Sequence, residues 1–282
     1  MSEDHIISET ERVREDWSRR GKHWDSRADE VAEMADRFNQ PLIEAVGIAP
    51  GHKVLDLASG AGEPALTVAG MVAPEGSVHC TDLVPEMMEG AKRRADAAAV
   101  SNISFRTADM CALPDDDASF DRSICRFGLM FVPEPQRATA EVFRVLKPGG
   151  RAGFMVWGPR EDTTMFTVFA EVADRLWGLD DPLIDFDTMC SMGAPGTLTR
   201  ALEVAGFESV EEKELRFSPK IPGHLEPWHA QIDMSMGPKL DTLGTEERAA
   251  VGREIKDTFS RYLKDGDYHM NAHIRIGVGV KT

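Results

Sequence analysis

Asp56, Asp82 and Asp109 each end or follow a short apolar run, and the first stands just ahead of a glycine loop, Ser59-Gly60-Ala61-Gly62. Gly60 and Gly62 lack a Cβ, so the backbone there can turn sharply and approach a ligand closely. Pro64 suits the first turn of a following helix, where a missing N–H costs nothing. A strand, a glycine loop and a helix N-terminus in succession hold nucleotide-like ligands. Gly60-x-Gly62-x-x-Ala65 also satisfies the dinucleotide fingerprint, so the acids must decide between ligands. A carboxylate at Asp56 would repel a pyrophosphate and attract an ammonium or sulfonium. Asp82 falls about twenty residues beyond Gly62, the spacing of a carboxylate that accepts from ribose hydroxyls. Asp109, at the next strand end, could accept from an adenine amino group. A cation, a ribose and an adenine without a phosphate describe S-adenosylmethionine.

The elements that must position these residues begin near residue 51. Strands are expected over 53–58, 77–83, 103–107, 120–126 and 151–157, with helices over 85–99 and 135–146. Pro148-Gly149-Gly150 stops the second of these helices. Strands separated by helices imply right-handed crossovers and a parallel sheet, an α/β architecture. Ligands of such sheets bind outside the carboxyl ends of the strands, where strand order reverses, so all three acids should share one crevice. After Trp157 the pattern loosens. Met165, Phe169, Val172 and Leu176 mark an amphipathic helix, and further elements are expected as a helix over 195–205, a strand over 209–217, a helix over 245–264 and a last strand over 272–280. The stretch 219–244 reads as irregular. Residues 1–48 are helical and charged, with Trp17, Trp24, Val31, Met34, Phe38 and Leu42 at helix-like intervals. We expect 1–48 to form a helical lid segment, and 49–282 a catalytic domain with lid inserts near 160–194 and 219–264.

Composition narrows the partners. A net charge of −16 argues against nucleic acid, which needs a basic face. No stretch approaches the ~20 apolar residues of a membrane span, and the acidic, polar N-terminus is unlike a secretory signal. A cytoplasmic protein without membrane insertion is expected. Cys80, Cys111, Cys125 and Cys190 are widely spaced with no C-x-x-C pair, which predicts reduced thiols and no metal site.

Taken in order, Val54–Ala65, Cys80-Thr81-Asp82, Ala108-Asp109-Met110, Phe120-Asp121 and Val145-Leu146-Lys147-Pro148-Gly149-Gly150 resemble the successive motifs of class I S-adenosylmethionine-dependent methyltransferases. The branch they most resemble is that of the ubiquinone/menaquinone C-methyltransferases. The resemblance covers roughly residues 24–157 and implies a Rossmann-like sheet of seven mostly parallel strands, helices on both faces and an antiparallel last strand. It implies that Asp56, Ala58, Gly60 and Gly62 surround the methionine part of the cofactor. Asp82, with Leu83 beside it, would hold the ribose, and Met87 would pack on the adenine. Asp109 and Met110 would meet the adenine edge, and Arg126 would offer its backbone carbonyl near the methionine amine. Ala58 departs from the family, where many members have glycine. His23-Trp24-Asp25 resembles an aromatic–Asp pair that closes over the cofactor.

The function so implied is methyl transfer, by in-line displacement, to a small-molecule acceptor: a hydroxylated ring, a natural product or an amine. Trp24 and Trp157 are candidate walls of the acceptor pocket. His229 is the candidate general base, with Glu226, Asp233, His23 and His269 behind it. Two alternatives stay open at this point: a nicotinamide-dependent oxidoreductase, and a non-methylating enzyme that uses the same cofactor. The oligomeric state is not legible.

Overall fold

A computed structural model describes residues 3–26, 28–178, 180, 181, 183 and 186–282; the side chains of residues 3–8, 25, 28–35 and 230 are outside that description, among them Asp25, Val31 and Met34. In chain order the elements are α1 (Glu3–Ser26), α2 (Ala28–Val46), β1 (Lys53–Leu57), α3 (Ala65–Val72), β2 (Ser77–Asp82), α4 (Pro85–Ala97) and β3 (Ile103–Thr107). There follow β4 (Phe120–Arg126), α5 (Pro135–Val145), β5 (Leu146–Trp157), α6 (Thr164–Trp177), α7 (Thr197–Val204) and β6 (Glu208–Phe217). The chain ends with β7 (Lys220–Pro222), α8 (His229–Leu240), α9 (Thr245–Phe259), β8 (Leu263–Lys264), β9 (Asp267–His269) and β10 (Ala272–Val280).

The chain divides into two compact units, one of residues 1–156, 195–213 and 275–282, the other of residues 157–194 and 214–274. The first carries the sheet, in the order β3-β2-β1-β4-β5-β10-β6. β1 pairs in parallel with β2 and β4, β2 with β3, and β4 with β5, while the last strand runs antiparallel. Val54, Leu55, Leu57, Ile124, Cys125, Phe154 and Val156 are buried, as strands covered by helices on both faces must be. Strand order reverses between β1 and β4, which is the switch point at which such sheets take ligands. The N-terminal helices belong to this unit. Val46 and Leu42 of α2 stand against Gly153 of β5, where an added Cβ would lie 2.3 Å from Val46 Cγ2.

The second unit has its own core. Phe169 and Val172 of α6, Met236 of α8, and Ile255 and Phe259 of α9 pack with Trp228 and Tyr268. Trp228 stacks on Phe259 with centroids 4.7 Å apart, and Tyr268 meets Trp228 edge-on at 5.4 Å. The strands β7, β9 and β8 form a small antiparallel sheet.

Several boundaries differ from the sequence expectation. Pro148-Gly149-Gly150 lies inside β5, because the chain leaves α5 directly into an extended strand. The stretch 219–244 contains β7 and α8; Gly237 and Pro238 within α8 hide its helical signal. α9 stops at Phe259, and Leu263–Lys264 becomes a strand.

Candidate functional site

Asp56 is fully buried in β1, and neither carboxylate oxygen has a hydrogen-bond partner. Burial pushes its pKa up to about 7, against the opposing charge of Arg126. An unsatisfied buried carboxylate is costly, and ionised it asks for a cation. Ser59 Oγ donates to the Asp56 carbonyl at 2.8 Å and so fixes the turn that follows. Ala58 takes that turn at φ +50°, in the left-handed region that favours glycine. Phe127, just past β4, is also left-handed at φ +58°, an uncommon conformation for a bulky residue. Backbone strain of this kind collects at ligand sites.

The glycine loop is held from several sides. Gly60 N donates to Asp82 Oδ2 at 3.0 Å, and Val84 N donates to Asp82 Oδ1 at 3.0 Å. One carboxylate thus ties the end of β2 to the loop after β1, and a carboxylate retains capacity for two further bonds. Burial raises the Asp82 pKa to about 6, with these backbone bonds opposing. Arg94 Nη1 donates to the Ala61 carbonyl at 2.8 Å, and Arg126 Nη2 donates to the Glu63 carbonyl at 3.0 Å. Glu63 Oε2 accepts from Asn39 Nδ2 at 3.1 Å and from Thr67 Oγ1 at 3.0 Å, so α2 is anchored to the loop. Gly60 has φ +53° with open space where a Cβ would stand, whereas a Cβ on Gly62 would press on Leu66 and Ala91.

Asp109 follows β3, and its Oδ1 accepts from Cys111 N at 2.8 Å, which shapes the turn at the adenine end of the expected ligand. Leu83 is half-buried after β2, and Met87 is buried on α4. Met110 Cε lies 3.6 Å from the place of a Cβ on Gly128, a residue whose missing side chain also leaves room for the Ala58 methyl. Asp56, Ala58, Gly60, Gly62, Asp82 and Arg126 therefore come together at the switch point, all in the first unit. Trp24 is in this unit too, on α1. Its indole Nε1 is buried without a hydrogen-bond partner, its ring lies 6.1 Å from Trp17, and Trp17 meets Phe131 edge-on at 4.8 Å.

Two expected residues lie in the second unit. Trp157 belongs to the second unit and packs edge-on against Phe166 at 4.9 Å. His229 is also in the second unit, with its side chain 69% exposed. Its Nδ1 lies 3.1 Å from Glu226, which also accepts from Lys256 Nζ at 2.9 Å, and Asp233 pairs with Arg248. These are ion pairs among residues of the second unit. The second unit does bury one histidine, His273, with Nδ1 2.9 Å from Asp162 and Nε2 3.4 Å from Glu214.

Sequence reading passed over the side chains of Arg126, Glu63, Asn39 and Arg94. Only Glu63 carried a local signal, its place inside the Gly-x-Gly-Glu-Pro turn. The others reach the loop across tens of residues of chain.

With this geometry in place, comparison with known proteins is informative. A methyltransferase-domain family model matches residues 54–150. An arsenite methyltransferase of Halobacterium salinarum is 33% identical over 218 residues, 73% of this chain and 51% of that protein. A ubiquinone/menaquinone biosynthesis C-methyltransferase of Cupriavidus necator is 33% identical over 179 residues, covering 60% of this chain and 72% of that protein. The chain spans about half the length of the first relatives it matches. Among solved structures, the YcgJ protein of Bacillus subtilis shares the fold, with a TM-score of 0.55 at 20% identity over 86% of this chain and 97% of that one.

Proposed function

The chain belongs to the class I S-adenosylmethionine-dependent methyltransferases, and from that premise we propose that it methylates a small organic acceptor carrying a hydroxylated ring. The observation that carries the cofactor part is the fully buried, unpartnered Asp56 carboxylate beside the glycine loop. That pocket fits a cationic, phosphate-free nucleoside: an anion at Asp56 opposes a diphosphate, and Asp82 has acceptor capacity left for ribose hydroxyls. S-adenosylmethionine, when bound, supplies a methyl group already activated by its sulfonium. What remains for the protein is to align the acceptor and exclude water, which can lower a barrier by ~7–11 kcal/mol.

Trp17, Trp24 and Phe131 support the ring-shaped acceptor, since they offer flat apolar faces together with one buried, unpaired indole N–H that a ring oxygen could accept. The anchoring of Asn39 to Glu63 and the edge-on contact of Phe38 with Phe127 at 5.6 Å support a covering role for the N-terminal helices. Arsenic(III), the acceptor in the Halobacterium relative's name, asks for gathered thiolates. Here Cys80 and Cys125 are buried, and the thiols of Cys111 and Cys125 are pushed up to about 12 by burial. Among the described residues no group of three such ligands forms.

Calorimetry with S-adenosylhomocysteine and NADH in parallel tests the cofactor, and Asp82→Asn should weaken the adenosyl ligand roughly ten-fold or more through poorer ribose contacts. Binding of NADH alone would overturn the reading. For the acceptor, incubation of phenolic and quinol pools with deuteromethyl-labelled cofactor should give a labelled product by mass spectrometry. Label appearing only in amines or in arsenic would refute the ring.

A further inference from the structure

The amino-terminal edge of the sheet, at the other end of β1 from the glycine loop, gathers cations. The register between β4 and β5 breaks after Phe120 and resumes with Arg122 against Arg151. Partners in neighbouring strands stand roughly 4.8 Å apart with their side chains on one face. Two guanidinium groups therefore start side by side, and like charges so placed repel. Burial and the charge of Arg151 both hold the Arg122 guanidinium below its usual pKa. His52, just ahead of β1, feels Arg122 and also Lys147, which lies in the stretch of β5 between the two registers; Asp121 opposes them. The acceptors at hand are already used. Asp121 Oδ1 accepts from Lys147 Nζ at 2.7 Å and Oδ2 from Lys53 N at 2.9 Å. The Gly47 carbonyl, just past α2, accepts from Arg122 Nε at 3.3 Å, and the Asp121 carbonyl from Arg122 Nη1 at 2.7 Å. His52 Nδ1 accepts from Ala49 N at 3.1 Å, which puts the ring proton on Nε2. Arg151 Nη1 lies 3.7 Å from the place of a Cβ on Gly47, so it shares the end of α2 with Arg122. Among the described residues Arg122 Nη2, the Arg151 guanidinium and His52 Nε2 have no hydrogen-bond acceptor.

We propose that Arg122, Arg151, Lys147 and His52 form a second ligand site, which takes a phosphate group, free or as a phosphomonoester, at the sheet edge away from the glycine loop. A tetrahedral dianion offers several acceptors at once and can receive two guanidinium groups and an imidazole N–H together. It would also offset the repulsion between Arg122 and Arg151, and so tie the end of α2 to β4 and β5. The protein's charge of −16 opposes anions in general, so an anion bound here is held by these side chains against the overall field. The inference goes beyond methyl transfer and does not depend on it.

Calorimetry in chloride buffer at constant ionic strength and near neutral pH tests the site, with inorganic phosphate and glycerol 3-phosphate as probes. Phosphate should bind with a dissociation constant of about 1 mM or below, and should raise the urea midpoint as it saturates. Arg151 is exposed, so Arg151→Gln should fold. It should weaken both probes roughly ten-fold or more. Without phosphate it should unfold at the same urea concentration as the natural protein or higher, because a like-charge neighbour is gone. Lys92→Gln makes the same change of charge at an exposed position of α4 and should leave binding within about two-fold. A clear preference for the ester would assign the phosphate to an organic carrier, and near-equal affinities to the free ion. No binding up to about 10 mM phosphate would overturn the proposal. Equal weakening by Lys92→Gln and Arg151→Gln would overturn it too, as would binding of an acidic peptide where both phosphate probes fail.

Discussion

Asp56 concentrates the tension between stability and ligand binding in a single side chain. Its folded pKa, raised to about 7 by burial, lies above the ordinary value of 3.8. The folded state therefore binds the proton more tightly than the unfolded state does. The ligand-free fold is at its best below the unfolded pKa and loses stability as pH climbs through the folded one. Asp56→Asn removes that loss. It should stabilise the ligand-free protein at pH 8 by on the order of 2–4 kcal/mol, with the advantage shrinking below pH 5. The same variant should lose affinity for S-adenosylmethionine. Denaturant titrations at the two pH values check this, and an equal gain at both would show that the carboxylate does not titrate where its burial places it. Gly128 makes a smaller point of the same kind: a Cβ there would lie 2.4 Å from the Ala58 methyl, so the left-handed alanine is tolerated only because its neighbour across the turn has no side chain.

Elements are fastened to one another by polar groups from distant parts of the chain. Glu212 of β6 accepts from Gly196 N, Thr199 N and Thr199 Oγ1, all at 3.0 Å, and so caps the start of α7 from outside the helix. The same carboxylate receives Arg275 Nη1 of β10 at 3.0 Å, with both side chains 9% exposed. Its pKa lies below the ordinary 4.5, held there by these bonds against the opposing effect of burial, so its contribution is present above that value and fades as the carboxylate protonates in acid. Glu212→Ala strips the cap and removes the carboxylate that Arg275 bonds, and should cost about 3 kcal/mol at neutral pH. Urea unfolding measures it; a loss under about 1 kcal/mol would mean that the pair behaves as a surface bridge. Helices α1 and α2 were legible from their periodicity. Their attachment, through Asn39 to Glu63 and through Leu42 and Val46 to Gly153, was not.

At the scale of the whole molecule, a charge of −16 acts on every ligand that approaches. S-adenosylmethionine carries one more positive charge than S-adenosylhomocysteine, so the protein's field favours the substrate form over the product form. Raising the salt from low ionic strength to about 0.5 M shortens the Debye length to a few ångströms. The ratio of the two affinities should then fall several-fold, while S-adenosylhomocysteine alone changes little. A ratio independent of salt would confine the discrimination to Asp56 and its immediate neighbours. Among the described residues no helix is long and apolar enough to cross a membrane. The two units each close a core of their own, and the second is the part whose helices and small sheet the sequence showed least clearly.

Strand positions, the glycine loop and the three acids were readable from the amino-acid sequence because each is announced locally, by an apolar run, a missing Cβ or a carboxylate where a strand meets a turn. That Asp56 and Asp82 meet beside the glycine loop also followed, since parallel strands must bring their carboxyl ends to one edge. Tertiary structure alone decided which groups stay unsatisfied. Arg126 bonds a carbonyl instead of Asp56, Glu63 reaches Asn39, and His229 stands in solvent while His273 is buried. Such outcomes depend on distances between residues far apart along the chain, and no spacing in a sequence encodes them.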